Sequence, residues 1–263
     1  MKRNLLATRR LGFVGSLGLI LMAIAALSPG SAEAVGLELE GRYWFPSVSG
    51  SVSFSEFDLV PEIDVTELLG LEADDVLEGR ITFRPFLGIF VRAAYQNMSN
   101  SGQRSLSGDF LGIPLPIDGE VTSSLDFDYG RLAVGWQFVT PKKTLRIGPF
   151  VEAKGVTGDA AAAVRSILIT DSISESFEAA FPAVGALLEI QPGEKIQIFA
   201  EASFEVGYDE ADMMDAEVGV RFYPIHMVGV GGGYRIIDLD GAIDDVRLDV
   251  DWDGFFLSAV LRF

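Results

Sequence analysis

Residues 249–254 read Asp-Val-Asp-Trp-Asp-Gly, which matches the first half of a calcium-binding loop of the EF-hand type. Such a loop needs a bidentate glutamate at its twelfth position, where this sequence has Val260. We therefore expect no metal site and no cofactor. Loose binding of a divalent cation by Asp249, Asp251 and Asp253 is the alternative, because hard cations accept oxygen ligands in many geometries.

A second candidate for chemistry is the group Glu201, Ser203 and Glu205, which occupies alternate positions of one predicted strand and hence one face. A serine hydroxyl becomes a nucleophile when a neighbouring base takes its proton, and that base is most often histidine. The only histidine of the chain is His226, in a predicted tight turn at the opposite end of the strands. We therefore assign no catalytic residue and expect no enzyme.

The first 34 residues have the composition of an export signal. An apolar run at 13–27 follows a basic start, and Ala32 and Ala34 are the small residues that suit cleavage after Ala34. An uncleaved anchor is the alternative, but the run is shorter than the roughly 20 residues of a spanning helix. The basic start comprises Lys2, Arg3, Arg9 and Arg10. The sequence thus predicts a cleaved signal peptide at 1–34 and one domain at 35–263.

Charge and cysteine content exclude several classes of protein. The leader holds four of the 20 basic residues and one of the 38 acidic residues, so the mature chain has 16 against 37 and a net charge of −21. An acidic surface repels nucleic-acid phosphates, so we expect no nucleic-acid partner. With no cysteine in the chain, disulfides, thiol catalysis and a lipid-modified cysteine are excluded.

The mature chain alternates apolar and polar residues in ten segments that turn residues separate. This pattern predicts ten strands, with eight or twelve as alternatives. They span roughly residues 36–45, 76–85, 88–99, 124–140, 144–157, 175–191, 195–206, 214–223, 228–239 and 250–263. Tight turns alternate with longer polar loops at 46–75, 100–123, 158–174, 207–213 and 240–249. Within the first loop, residues 65–75 are predicted to form a short helix over the barrel mouth.

The outward faces of the predicted strands are apolar, with aromatic residues near both ends. The outer group is Tyr43, Phe45, Tyr95, Phe204 and Tyr234, and the inner group is Phe83, Trp136, Phe138, Phe222 and Phe263. Such aromatic girdles suit the headgroup regions of a bilayer. A soluble β-sandwich would also alternate, but it has no reason to gather aromatic residues at both strand ends.

The last strand places Phe255, Leu257, Ala259, Leu261 and Phe263 on one side. Through this terminal phenylalanine and its alternating hydrophobic residues the chain resembles the bacterial outer-membrane β-barrel class, in which they act as an assembly signal. The resemblance implies an all-β, antiparallel, up-and-down barrel in the outer membrane of a Gram-negative bacterium. It implies outer-membrane lipid, lipopolysaccharide and the barrel-assembly machinery as partners. We expect a monomer.

The opposite phase of each strand predicts the residues that line the interior, where opposite charges are nearly balanced. These candidates are Glu38, Glu40, Arg42, Glu78, Arg80, Arg84, Arg92, Arg131, Arg146, Glu152, Lys154, Glu201, Glu205, Asp215, Glu217, Arg221 and Arg235, to which Glu189 and Arg262 are added. Ion pairs among them would hold the barrel shut, whereas an open lumen would be a narrow polar channel. The alternation alone does not decide between the two.

The function that these patterns favour is a structural or envelope role, with a narrow cation-preferring pore for small solutes left open because the predicted outer loops are acidic. An outer-membrane hydrolase of lipid or peptide is the alternative from another class. A third alternative is an adhesin that uses the acidic loops.

Overall fold

The computed structural model describes residues 36–54, 63–64, 71–85, 88–110, 113–140, 144–165, 170–207, 211–243 and 246–263. The predicted signal peptide lies outside the described residues. Thirteen strands occur in this part of the chain: β1 Gly36–Phe54, β2 Ile63–Asp64, β3 Leu71–Ala73, β4 Val76–Arg84, β5 Ile89–Phe110, β6 Ile113–Trp136, β7 Phe138–Val139, β8 Leu145–Arg165, β9 Thr170–Ile190, β10 Ile196–Glu205, β11 Ala211–Ile225, β12 Val228–Ile243 and β13 Val246–Arg262.

Ten of these strands form a closed antiparallel barrel, which confirms the predicted architecture and strand number. Each strand pairs with its neighbour along the chain, and β13 returns to pair with β1 from Glu38↔Arg262 to Phe54↔Val246. The Leu37 and Phe263 main chains seal the seam with two hydrogen bonds of 3.1 and 2.8 Å. The short strand β7 continues β6 against β8, while β2 and β3 are additions that pair with β1 and β5.

The two ends of the barrel differ in the length of their connections. At the short-turn end, tight turns join β4 to β5, β7 to β8, β9 to β10 and β11 to β12, beside Gly36 and Phe263. At the long-hairpin end, the strands continue well past the predicted boundaries, and β5 and β6 pair as far as Phe110↔Ile113. Most of the described residues in the loops predicted at 46–75, 100–123, 158–174 and 240–249 are therefore strand.

The predicted helix at 65–75 is wrong over its second half. Residues Leu71–Ala73 form strand β3 and pair with β5 at Gly102, Ser101 and Asn100. The unpaired edge of a long strand offers main-chain groups that recruit another strand, and this edge outweighs the local helical pattern. Residues 65–70 lie outside the described part of the chain. No helix that could cross a membrane occurs in the described ranges.

The lower barrel, which extends from the short-turn end to the level of Tyr43, Tyr95 and Tyr234, is apolar outside. Its exposed side chains include Tyr43, Phe45, Leu132, Val134, Trp136, Phe138, Ile196, Ile198, Val218, Val220, Phe222, Phe255, Leu257 and Phe263. The outward faces predicted from the alternation are confirmed. Phe83 is the exception among the predicted girdle residues, because its side chain is buried rather than exposed.

The upper barrel, beyond those tyrosines, reverses this polarity along the same strands. On β13, Asp249, Asp251 and Asp253 point outward while Val250 and Trp252 are buried inside. Inside the upper barrel the side chains form an apolar core. The aspartate and serine side chains of the neighbouring strands lie on its outer surface. This core contains Trp44, Val48, Met98, Val121, Leu125, Phe127, Val156, Ala160, Phe177, Phe181, Ile237, Leu239, Val250 and Trp252. The upper barrel is therefore built like a soluble β-barrel on top of a lipid-facing one.

Tyrosines mark the level at which the polarity reverses. The Tyr95 hydroxyl donates a 2.7 Å hydrogen bond to Asp128 on the neighbouring strand. The Tyr43 hydroxyl likewise donates to Asp75 at 2.8 Å, and Tyr234 donates to Asp253. A tyrosine suits the boundary between apolar and polar surroundings, because its ring can face the apolar side while its hydroxyl faces the polar side.

Candidate functional site

The centre of the lower barrel contains a network of ion pairs between side chains from five strands. Its charged members come from alternate positions, because inward-facing residues recur every second residue of a strand. They are Glu40 and Arg42 of β1, Glu78 and Arg80 of β4, Arg131 of β6, Asp215 and Glu217 of β11 and Arg235 of β12. All of these side chains are buried, so the folded barrel is stable only if each charge lies close to an opposite charge.

Glu217 forms the first centre of the network. Arg80 donates to both of its carboxylate oxygens at 2.9 and 3.0 Å. Arg42 donates to the same two oxygens at 2.5 and 3.1 Å. A carboxylate held by two guanidinium groups uses most of its lone pairs, which fixes all three side chains.

Glu78 and Asp215 form the second centre, nearer the upper barrel. Arg235 donates to Glu78 at 2.6 Å and to Asp215 at 2.8 and 3.0 Å. Arg131 also joins the two carboxylates, at 3.3 Å to Glu78 and 2.9 Å to Asp215. The Tyr129 hydroxyl donates to Asp215 at 3.1 Å, so this layer meets the apolar core through an aromatic ring.

The short-turn end contains a second layer that is richer in arginine. Glu38 accepts hydrogen bonds from Arg262 at 2.9 Å and from Arg84 at 3.5 Å. Glu189 accepts from Arg84 at 3.4 Å and from Arg146 at 3.1 Å. Arg221 also belongs to this layer. Its guanidinium lies 2.7 Å from the Glu40 carboxylate and 3.8 Å from that of Glu38. Arg221 thereby connects the two layers.

Two smaller charged pairs involve side chains of β5, β8 and β10, on the side of the barrel that runs from β5 through β6, β8 and β9 to β10. Arg92 pairs with Glu201 and donates to Thr82 at 3.2 Å. Ser203 donates to Glu152 at 2.9 Å, and the Lys154 ammonium lies 3.9 Å from the same carboxylate. An apolar cluster packs on the same side of the barrel. It consists of Phe90, Ala133, Phe150 and Leu187.

An aromatic pair separates the arginines of the network. Phe199 and Phe256 have ring centroids 6.4 Å apart, with the Arg42 guanidinium 4.6 Å above the Phe256 ring and Arg221 4.2 Å above Phe199. Stacking on a ring face stabilises a desolvated cation. Gly219 leaves room for these rings, because an added Cβ would lie 2.6 Å from Phe199 Cζ.

The charged residues predicted to line the interior are all buried or half-buried, and most of them meet in the two layers. Glu205 is half-buried toward the long-hairpin end and is not among the ion pairs described above. The catalytic grouping considered for Glu201, Ser203 and Glu205 is not assembled, since Ser203 turns to Glu152 and Glu201 to Arg92. Within the described ranges no cluster suited to a metal ion occurs.

The remaining predicted residues lie on the outside. Asp249, Asp251 and Asp253 face outward on the upper barrel. His226 is exposed in the β11–β12 turn at the short-turn end, as the sequence predicts. The residues of the proposed assembly signal project outward along β13, and their role in assembly stays a prediction. Phe255, Leu257 and Phe263 are the most exposed of them.

Sequence reasoning missed the neutral members of the network and the apolar core above it. Gln96 accepts from Arg235 at 2.8 Å, and Asn100 accepts from the Trp252 indole at 3.2 Å. Gln96 and Asn100 could have been found from the sequence by their position on the inward-facing side of β5, where an amide takes the place of a charged side chain. The apolar core could have been found from the change in phase along β13, where the outward residues turn from apolar to acidic.

No protein-family model matches this chain, and no curated protein matches it. Among solved structures, the outer membrane protease OmpT from Escherichia coli superposes with a TM-score of 0.51 at 11% identity, covering 90% of this chain and 99% of that one. The chain has the fold of bacterial outer-membrane β-barrels. The translocator domain of the autotransporter NalP from Neisseria meningitidis gives 0.44 at 11% identity over 97% and 98% of the two chains. Ail of Yersinia pestis gives 0.35 at 15% identity over 87% and 99%.

Proposed function

We propose that this chain is a closed, non-conducting barrel of the Gram-negative outer membrane with a structural or envelope role. The apolar exterior of the lower barrel supports the membrane location, because exposing so large an apolar surface to water is unfavourable and contact with lipid is not. Short turns face the periplasm in barrels of this kind and longer connections face outward. The acidic upper barrel then projects from the cell surface.

The observation that carries the proposal is a double closure of the interior. The guanidinium and carboxylate groups of the central network touch one another across the cross-section, and Arg42, Glu78 and Arg235 are at most 2% exposed. Above them, among the described residues, the core is mainly apolar and its buried Asn100 is engaged with the Trp252 indole, so few polar groups are left to replace the hydration shell of an ion. Ions cross narrow pores where such groups or water line the path. A filled interior therefore supports closure over a cation-preferring pore.

An enzymatic role has no support in the arrangement of the side chains. A hydrolase acting at the cell surface needs a base at the outer rim, and His226 lies at the other end of the barrel. The likeness to OmpT is one of fold, and function is decided by the residues of a site. We therefore propose a non-enzymatic role.

Recording the conductance of residues 35–263 refolded into a planar lipid bilayer tests the proposal. We expect a silent bilayer under a salt gradient, with insertion verified by protection of the lower barrel from protease. Discrete conductance steps with a cation-directed reversal potential would overturn the proposal and favour a pore. Turnover of lipid or peptide by the same preparation would overturn the non-enzymatic role.

A further inference from the structure

The ion-pair network carries more positive than negative charge. Among the described residues its connected members number eight arginines and six carboxylates, so the network has an excess of two positive charges. The arginines are Arg42, Arg80, Arg84, Arg131, Arg146, Arg221, Arg235 and Arg262, and the acids are Glu38, Glu40, Glu78, Glu189, Asp215 and Glu217. The pairs Arg92–Glu201 and Lys154–Glu152 are each neutral and do not change this difference.

The excess charge is located at the short-turn end. The central layer is balanced, with four arginines against four carboxylates, whereas the second layer has Arg84, Arg146, Arg221 and Arg262 against Glu38 and Glu189. Uncompensated charge inside a membrane-embedded barrel is costly, because little water is available to solvate it. A bound anion would remove that cost.

Unused hydrogen-bond donors occur at the same end. Within the described residues, the buried Nε atoms of Arg84 and Arg221 and the amide nitrogens of Gln137 and Gln197 have no acceptor. The Gln197 carbonyl oxygen accepts from the Tyr223 hydroxyl at 3.1 Å and also from Arg262, so the amide nitrogen is the part of this side chain that has no partner. Buried donors in folded proteins nearly always have a partner, which a ligand can provide.

The second layer is also accessible from outside the barrel. The side chains of Arg84, Arg146 and Arg262 are 19%, 22% and 19% exposed, while those of the central layer are nearly inaccessible. An anion can therefore reach these arginines through the short-turn end.

We propose that the short-turn end of the barrel binds a doubly charged oxyanion of the phosphate class. Arg84, Arg146 and Arg262 supply charged donors, and the unused nitrogens of Arg221 and Gln197 complete the hydrogen bonds. Guanidinium groups suit phosphate because their planar donors match pairs of its oxygens. The ligand is a free phosphate or the phosphate of a lipid headgroup, since the two share this chemistry.

The test titrates the refolded chain in a non-ionic detergent with inorganic phosphate, and in a second arm with a short-chain phosphatidic acid, by calorimetry at low salt. We expect saturable binding of at least one probe that weakens as salt increases. The arm with the tighter binding identifies the source of the phosphate. No heat from either probe, with folding verified by the heat-dependent gel shift of barrels, would overturn the proposal.

Variants separate a built site from general attraction to a basic surface. Arg84→Gln and Arg262→Gln should each weaken binding by about tenfold or more, because each removes a charged donor. Lys195→Gln removes an exposed charge at the same end and should leave binding unchanged. Glu189→Gln raises the net positive charge and should tighten binding, an effect that a destabilised barrel would not produce. Equal loss in Lys195→Gln, or no loss in the arginine variants, would overturn the proposal.

This inference does not depend on the closed state of the barrel. A conducting barrel that still binds phosphate would contradict the proposed function alone, and a silent barrel without phosphate binding would contradict this inference alone.

Discussion

Arg235 of β12 and Glu78 of β4 form an ion pair of 2.6 Å although 157 residues separate them in the chain. Their strands are not neighbours in the sheet, because β13 and β1 lie between them. The contact therefore crosses the barrel interior rather than running along its wall. Pairs of this kind tie strands that are not neighbours together and resist both opening and collapse of the barrel.

Replacing Glu78 with glutamine should destabilise the barrel strongly. Glu78 lies within ion-pair distance of Arg42, Arg80, Arg131 and Arg235, so the change leaves buried guanidinium groups without a carboxylate. Removing one partner of a buried pair costs about 3–5 kcal/mol. Urea-induced unfolding in lipid vesicles measures this loss as a change in the free energy of unfolding.

Glu194→Gln provides the matched control for that change, because Glu194 is exposed in the β9–β10 turn. Its free energy of unfolding should stay within about 0.5 kcal/mol of the parent. Equal stability of the two variants would show that the network contributes nothing beyond filling space.

Trp252→Ala should cost far more than Leu257→Ala on the same strand. Trp252 is 1% exposed in the upper apolar core and packs against Phe127 with ring centroids 5.2 Å apart. Removing it leaves a cavity, at a cost of about 3–5 kcal/mol. Leu257 is 61% exposed on the lower barrel, where lipid replaces the lost contacts. Similar costs, measured by the same urea titration, would mean that the upper interior is not tightly packed.

Gly219→Ala tests the packing beneath the arginines. The added Cβ would approach the Phe199 ring atoms to 2.6 and 2.8 Å, and the ring would have to move. Overpacking of this kind costs about 1–3 kcal/mol. Gly130→Ala is the control, because nothing lies within 4 Å of the corresponding Cβ position. If both variants unfold at the same urea concentration, Phe199 is free to move.

The aspartates that face each other on β12 and β13 make the stability of the upper barrel depend on pH. Asp238 pairs directly with Asp251, four residues beyond the Tyr234↔Phe255 pair and thus outside the membrane-spanning part. Burial, followed by the charges of Asp249 and Asp253, raises the pKa of the Asp251 carboxyl above its ordinary value. Burial and the charge of Asp251 likewise raise the pKa of Asp238.

A raised pKa means that the folded state disfavours the ionised carboxylate. The resulting cost is present at neutral pH and disappears as the pH falls through the pKa of the folded state. Asp251→Asn should therefore raise the melting temperature at neutral pH, and the gain should vanish near about pH 3, below the ordinary pKa of aspartate. Glu178→Gln, at an exposed position of β9 that pairs with Thr157 and not with an acid, is the control. A gain that is the same at both pH values would contradict this electrostatic origin.

Much of this architecture follows from local patterns in the sequence. Period-two alternation predicts strands and faces, because successive side chains of a strand point to opposite sides whatever its neighbours are. The outward row that ends at Phe263 and the inward positions of Arg42 and Glu217 could thus be predicted from the residues alone. The extension of β5 and β6 to Phe110↔Ile113 could not, because residues 100–123 are rich in serine, glycine and proline, which favour turns, and only pairing between the two strands makes them extended.

What the tertiary structure decided is which inward residues meet and how the interior is closed. Arg42 contacts Glu217 across 175 residues, and that contact depends on the stagger of all ten strands and on the closure of β1 against β13. The reversal of polarity at the level of Tyr234 likewise depends on the pairing of the strands, because the register decides which residues of different strands lie at the same height in the barrel. Alternation is a property of each strand by itself, whereas register, closure and the depth of the apolar core are set by the pairing of every strand with its neighbours.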